Sequence, residues 1–233
     1  MKKFLLATVV LLGSISLANA ERFSLGVTVS GGVFEADGAS EIFSGDHSSN
    51  TTTTKVTKKT SDENENAEAA VAMGSIFAEI NLNDNISIGA SYVPHSMDSE
   101  TTENVQNFGD LPEDAGNDNA STNTVKISFE DLTTAYVLVR NENVYLKAGI
   151  VAVDVITEEN LATGGAYPNT DLDGTMFAVG YNMDLSDGMF ARFEANYMDL
   201  DGATVTNAND STKSVKADGI SGYGAGISIG KSF

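Results

Sequence analysis

From Phe23 onward the chain returns again and again to one pattern, apolar and polar residues in alternation. In Phe23-Ser24-Leu25-Gly26-Val27-Thr28-Val29-Ser30 the odd positions are apolar and the even ones small or polar. A period of two is the signature of a β-strand, because successive side chains point to opposite faces. Ile76, Ala78, Ile80 and Leu82 repeat it, and after Asn83-Asp84-Asn85 so do Ile86, Ile88, Ala90 and Tyr92. Two alternating runs around a tight turn read as a hairpin.

Eight such segments follow one another, at 23–34, 68–82, 86–94, 124–139, 144–157, 172–183, 189–200 and 217–233. In 124–139 the phase slips between Phe129 and Leu132, so a β-bulge is expected near Glu130-Asp131. Three connections are turns of 3, 4 and 5 residues, and the other four span 33, 29, 14 and 16. An even strand number, with short turns at one end and long loops at the other, describes an eight-stranded antiparallel up-and-down transmembrane β-barrel.

The N-terminus fits export. Met1 to Ala20 carry Lys2 and Lys3, an apolar run from Phe4 to Leu12, and Ala18-Asn19-Ala20 as a small-x-small cleavage site. The apolar run is too short to span the ~30 Å hydrocarbon core of a bilayer. Residues 1–20 are thus expected to be a signal peptide and 21–233 the barrel domain. The chain has 13 basic and 33 acidic residues; losing Lys2 and Lys3 leaves 11 against 33, a net −22. That charge argues against nucleic acid, whose phosphates need clustered Lys and Arg. With no cysteine, disulfides, thiolate metal sites and lipid attachment at cysteine are excluded.

A soluble sandwich or lipocalin-like barrel alternates too, but its second face is densely charged. Here that face holds many Gly, Ser and Thr residues and few charges, among them Glu79, Lys147, Arg192 and Glu194. Small polar residues with isolated opposite charges suit a narrow lumen. The remaining apolar face would then meet lipid, placing the barrel in the outer membrane of a Gram-negative-type bacterium.

The cleaved signal, the eight segments and the final strand GYGAGISIGKSF resemble the small outer-membrane β-barrel proteins, of the kind of the OmpA transmembrane domain, OmpX, Ail and the opacity proteins. The resemblance is architectural and covers 21–233. It implies outer-membrane lipids and lipopolysaccharide as surroundings. It also implies the barrel-assembly machinery as a partner, reading a C-terminal signal formed by Tyr223, Ile227, Ile229 and Phe233. No peptidoglycan-binding domain is expected after Phe233.

An eight-stranded barrel is just wide enough for side chains to fill it. Glu79, Lys147, Arg192 and Glu194 are expected to point inward and pair, since an unpaired buried charge is strongly unfavourable. Such a network is either a plug or the gate of a narrow polar channel. Phe23, Tyr92, Phe129, Tyr136, Phe177, Tyr181, Phe193, Tyr197 and Tyr223 are candidates for interfacial aromatic girdles.

The two longest connections, 35–67 and 95–123, carry seven acids each. Acidic runs are usually solvated; loose divalent-cation binding is the alternative. Neither Asp171-Leu172-Asp173-Gly174 nor Asp199-Leu200-Asp201-Gly202 continues as an EF-hand, and each reads as a strand-end turn. Long loops on a rigid barrel point to a structural or surface-interaction role with an unspecified extracellular ligand. A porin-like channel is the second reading and a secreted soluble β-protein a remote third.

Enzymatic readings are weak. His95-Ser96 with Asp98 invites a hydrolase comparison, but neighbours in an extended segment point apart. The other histidine, His47, lies in a low-complexity loop. No cofactor and no metal site is expected.

Overall fold

The computed structural model describes residues 23–37, 40–43, 55–57, 67–98, 102–109, 119–161, 166–209, 211 and 213–233. Eight long strands form its wall: β1 (Phe23–Asp37), β2 (Ala67–Asn81), β3 (Ile86–Tyr92), β4 (Asn119–Asn141), β5 (Val144–Leu161), β6 (Thr170–Asp184), β7 (Met189–Thr206) and β8 (Lys213–Ser232). Each pairs antiparallel with the next. Pairing of β8 with β1, from Ser24↔Ser232 to Asp37↔Gly219, closes the ring. Closure removes the exposed edges that an open sheet would present. Among the described residues no helix is long and apolar enough to cross a membrane; the crossing elements are strands.

The turns lie at one end. Asn83 Oδ1 accepts the Asn85 and Ile86 amides, both at 2.9 Å, a side chain standing in for turn backbone. Ser186–Gly188 turns through Asp187 (φ 59°) and Gly188 (φ 74°). A glycine suits this left-handed position, and its missing Cβ also lets the Ser232 carbonyl approach. In β4 the register shifts between Glu130 and Thr133, with Asp131 at φ 53°. The bulge therefore falls where the phase slips in the sequence.

The other end departs from expectation. Segments read as loops partly continue the wall: Ser40–Phe43 pairs with Lys213–Lys216, Met97–Asp98 with Ser128–Phe129, and Thr102–Phe108 with Asn119–Val125. Asp171–Gly174 and Asp199–Gly202 likewise lie inside β6 and β7 rather than at turns.

The strands also invert along their length. In β5, Val144, Leu146 and Ile150 are exposed while Tyr145 and Lys147 face inward. Beyond Val151 the inward positions become Val153 and Val155, and the outward ones include Asp154 and Glu158. Strand β7 does the same, from outward Phe193 to outward Asp199 and inward Met198 and Leu200. Side-chain parity is unchanged, so the environment has changed instead. Apolar-out staves face lipid and apolar-in staves face water, which puts the loop-side membrane boundary at the inversion. The lumen is thus not uniformly polar: its loop-side part is a hydrophobic core containing Met73, Val93, Leu132, Val153, Leu172 and Leu200.

Candidate functional site: a polar plug across the barrel

The turn-side half of the lumen is crossed by a charged network. Glu79 on β2 is fully buried and meets Arg192 on β7 in a two-pronged pair, Nη1 to Oε1 at 2.6 Å and Nη2 to Oε2 at 2.8 Å. Two parallel charge-assisted bonds fix both planes as well as the distance. Tyr136 on β4 donates its hydroxyl to Glu79 Oε1 at 2.9 Å, and Arg192 Nε donates to Asn182 Oδ1 at 3.0 Å. Asn182 in turn donates to Asp184 at 2.7 Å. The guanidinium also lies 4.4 Å from the Phe190 ring centroid, a cation–π contact that helps replace lost water.

The second pair sits beside the first. Lys147 Nζ is 2.6 Å from Glu194 Oε2, which also accepts the Tyr145 hydroxyl at 2.9 Å. Lys147 lies over the Tyr136 ring at 4.7 Å, so one tyrosine touches both pairs. All four charges expected in the lumen are there, two acids against two bases.

The glycines of the polar face turn out to be seats for rings. Phe77 lies over Gly26, Tyr136 over Gly89, Tyr145 over Gly180 and Phe190 over Gly230, and each glycine is the register partner of its aromatic on the neighbouring strand. A Cβ at any of these positions would collide with the ring. Ring over glycine fills the bore and aims the two tyrosine hydroxyls at the two carboxylates. Beside the plug lie a void of ≈ 60 Å³ on the loop side of Arg192, whose lining includes Thr28, Ser75, Thr134 and Asn196, and one of ≈ 200 Å³ on the turn side, whose lining includes Ser24, Asn81, Ser87 and Asn182. Arg192 borders both.

The family described as outer membrane protein beta-barrel domain matches residues 5–230. The chain belongs to the outer-membrane β-barrel family. Its wall, ring closure and apolar belt are those of an outer-membrane protein. Among solved structures, Ail of Yersinia pestis is 9% identical, with 90% of this chain and 99% of that one covered and a TM-score of 0.41. OprG of Pseudomonas aeruginosa gives 9%, 91%, 98% and 0.44, and the outer-membrane protease OmpT of Escherichia coli gives 10%, 92%, 98% and 0.40. No curated protein matches in sequence.

On this outer-membrane barrel the other sequence candidates scatter. Tyr223, Ile227, Ile229 and Phe233 all project outward from the last strand and its end. Phe177, Tyr181 and Phe193 are exposed as a girdle requires, and Tyr197 packs against Tyr223 in a tilted pair with ring centroids 4.9 Å apart. Tyr136 and Phe129 do not join them. Tyr136 is in the plug, and Phe129 packs on the loop-side core because the bulge flips the parity of β4. Phe77, Phe190 and Tyr145, not singled out in the sequence, carry the inward packing; a glycine opposite an inward-phase aromatic was the available signal.

His95 does not act as a base on the Ser96 hydroxyl. His95 Nε2 accepts the Gly74 amide at 2.9 Å, and Nδ1 lies 3.0 Å from the Ser96 carbonyl. Both ring nitrogens are therefore engaged with backbone. Asp98 is held by Lys126 at 2.8 Å and Ser128 at 2.6 Å. The Lys126 ammonium, with the Ser128 hydroxyl, holds the Asp98 carboxyl below the usual carboxylate range. Among the described residues no three His, Cys, Asp or Glu side chains gather to hold a metal. The signal segment 1–20, His47, Glu100 and the acids between 44 and 54, 58 and 66, and 110 and 118 lie outside the described residues.

Proposed function

We propose that this barrel is a plugged, non-enzymatic membrane scaffold with a structural or surface-interaction role exercised through its acidic extracellular side. The observation that carries the reading is the Glu79–Arg192 pair, which stands across the bore with its ring packing and leaves small voids on either side. A blocked bore directs function to the outside, where the staves rise past the lipid boundary and carry the longest connections. Residues 1–20 direct export, and the outward row Tyr223, Ile227, Ile229 and Phe233 is what the barrel-assembly machinery reads. Lipopolysaccharide borders the acidic rim, with divalent cations bridging the two.

The test deletes residues 44–54 and 110–118, which spares every described strand. Binding of expressing cells to host matrix or to phage should be lost while detergent-extracted protein keeps its heat-modifiable gel mobility. Undiminished binding would overturn the role of these segments.

A narrow channel is the second reading, favoured by the small polar side chains on both sides of Arg192. It requires the plug to open, and electrical recording separates the two readings.

A further inference from the structure

Three strands send a hydrogen-bonded trio into the bore: Glu79 from β2, Arg192 from β7 and Asn182 from β6. Six residues nearer the loops on the same strands stand Met73, Met198 and Met176. Six is an even step, so the inward parity is kept, and all three methionines are buried. The ladders joining β2, β1, β8, β7 and β6 run without a register shift through both levels. Met176 is the register partner of Met198, as Asn182 is of Arg192. The staves of a barrel share one tilt, so an equal step along each moves the trio up and around the axis with its arrangement kept. Strands that converge at the salt bridge through polar heads therefore converge again through thioethers.

The three methionines border one void, the ≈ 60 Å³ space on the loop side of Arg192. Methionine ordinarily fills a gap, being unbranched and polarisable; here three of them surround one that stays open. Glu194, the one carboxylate bordering it among the described residues, is committed to Lys147 and Tyr145. Ser75, Ser91, Thr134 and Asn196 contribute neutral polar groups. His95, further toward the loops, has both ring nitrogens engaged with backbone.

We propose that Met73, Met176 and Met198 form a thioether site for a soft monovalent metal ion, Cu(I) or its analogue Ag(I). Thioether sulfur is a neutral, polarisable donor of the kind that selects Cu(I) over hard cations. The same place is hostile to divalent ions. Lys147 and Arg192 border it, and their charges repel a divalent ion about twice as strongly as a monovalent one. The rest of the void takes a few waters on the surrounding hydroxyls. With the plug on its turn side, a bound ion is held in the bore and not passed through it.

The experiment dialyses the purified full barrel in detergent, without oxygen, against Cu(I) kept in solution by acetonitrile, and separately against Ag(I). Each ion should be retained at one per barrel, and X-ray absorption at the Cu edge should show sulfur neighbours. Met73→Leu, Met176→Leu and Met198→Leu conserve volume, and each should weaken retention at least tenfold. Met97→Leu alters a methionine of the same core outside this void and should leave retention unchanged. Zn(II) should not displace Cu(I). No retention by the wild type, a metal with only nitrogen and oxygen neighbours, or displacement by Zn(II) overturns the site. An equal loss in Met97→Leu overturns the choice of ligands. The wild-type stoichiometry and spectrum decide the site alone, so a variant that fails to fold leaves the test standing.

Discussion

Glu79 and Arg192 stand 113 residues apart in the chain and meet inside the barrel through two hydrogen bonds of 2.6 and 2.8 Å. Each is buried, so neither charge has bulk water to fall back on. The pair pins β2 to β7 across the bore, with β1 and β8 between them along the wall.

Arg192→Ala should therefore destabilise the barrel by about 3–5 kcal/mol, because it leaves a buried carboxylate without its partner. Reversible urea unfolding in lipid vesicles measures this. The double variant Glu79→Leu/Arg192→Met should recover most of the loss, since replacing both members removes the stranded charge. Equal losses in the single and double variants would contradict the account.

Gly180→Ala places a methyl group inside the space of the Tyr145 ring. Overpacking of this kind costs about 1–3 kcal/mol. It should also displace the Tyr145 hydroxyl from Glu194. Tyr145→Leu in the Gly180→Ala background should relieve the clash, and the two changes should be strongly non-additive in the same unfolding assay.

The Asp98 contact gives a pH dependence. Its carboxyl is held below the ordinary range by Lys126, so the contact stabilises the 93–98 segment above the ordinary pKa of about 4 and is lost as pH falls through the lowered value. Amide hydrogen exchange at Ser128 and Phe129 should be faster in Asp98→Asn than in the wild type at neutral pH. The difference should persist down to about pH 4 and vanish below it. A difference that grows on acidification would have the wrong sign.

The stave pattern was legible because parity is a local property: Leu25, Val27 and Val29 declare an outward face whatever lies beyond them. Parity also placed Glu79, Lys147, Arg192 and Glu194 inside. It could not say which acid meets which base, since that depends on how strands separated along the wall face each other across the bore. Nor could it separate lipid from water. Val153 and Val155 continue the inward phase of Tyr145 and Lys147, and only the outward Asp154 and Glu158 mark the change of surroundings. The wall hidden in the long connections was obscured by composition: Met97–Asp98 is too short to show a period, and Pro94 reads as a strand end rather than a break in one ladder alone.

The central claim is that the plug closes the bore. Electrical recording of the purified barrel in a planar bilayer tests it most directly. A plugged wild type should show no stable large-conductance state. Reproducible, ion-selective open states with Glu79 and Arg192 intact would contradict it.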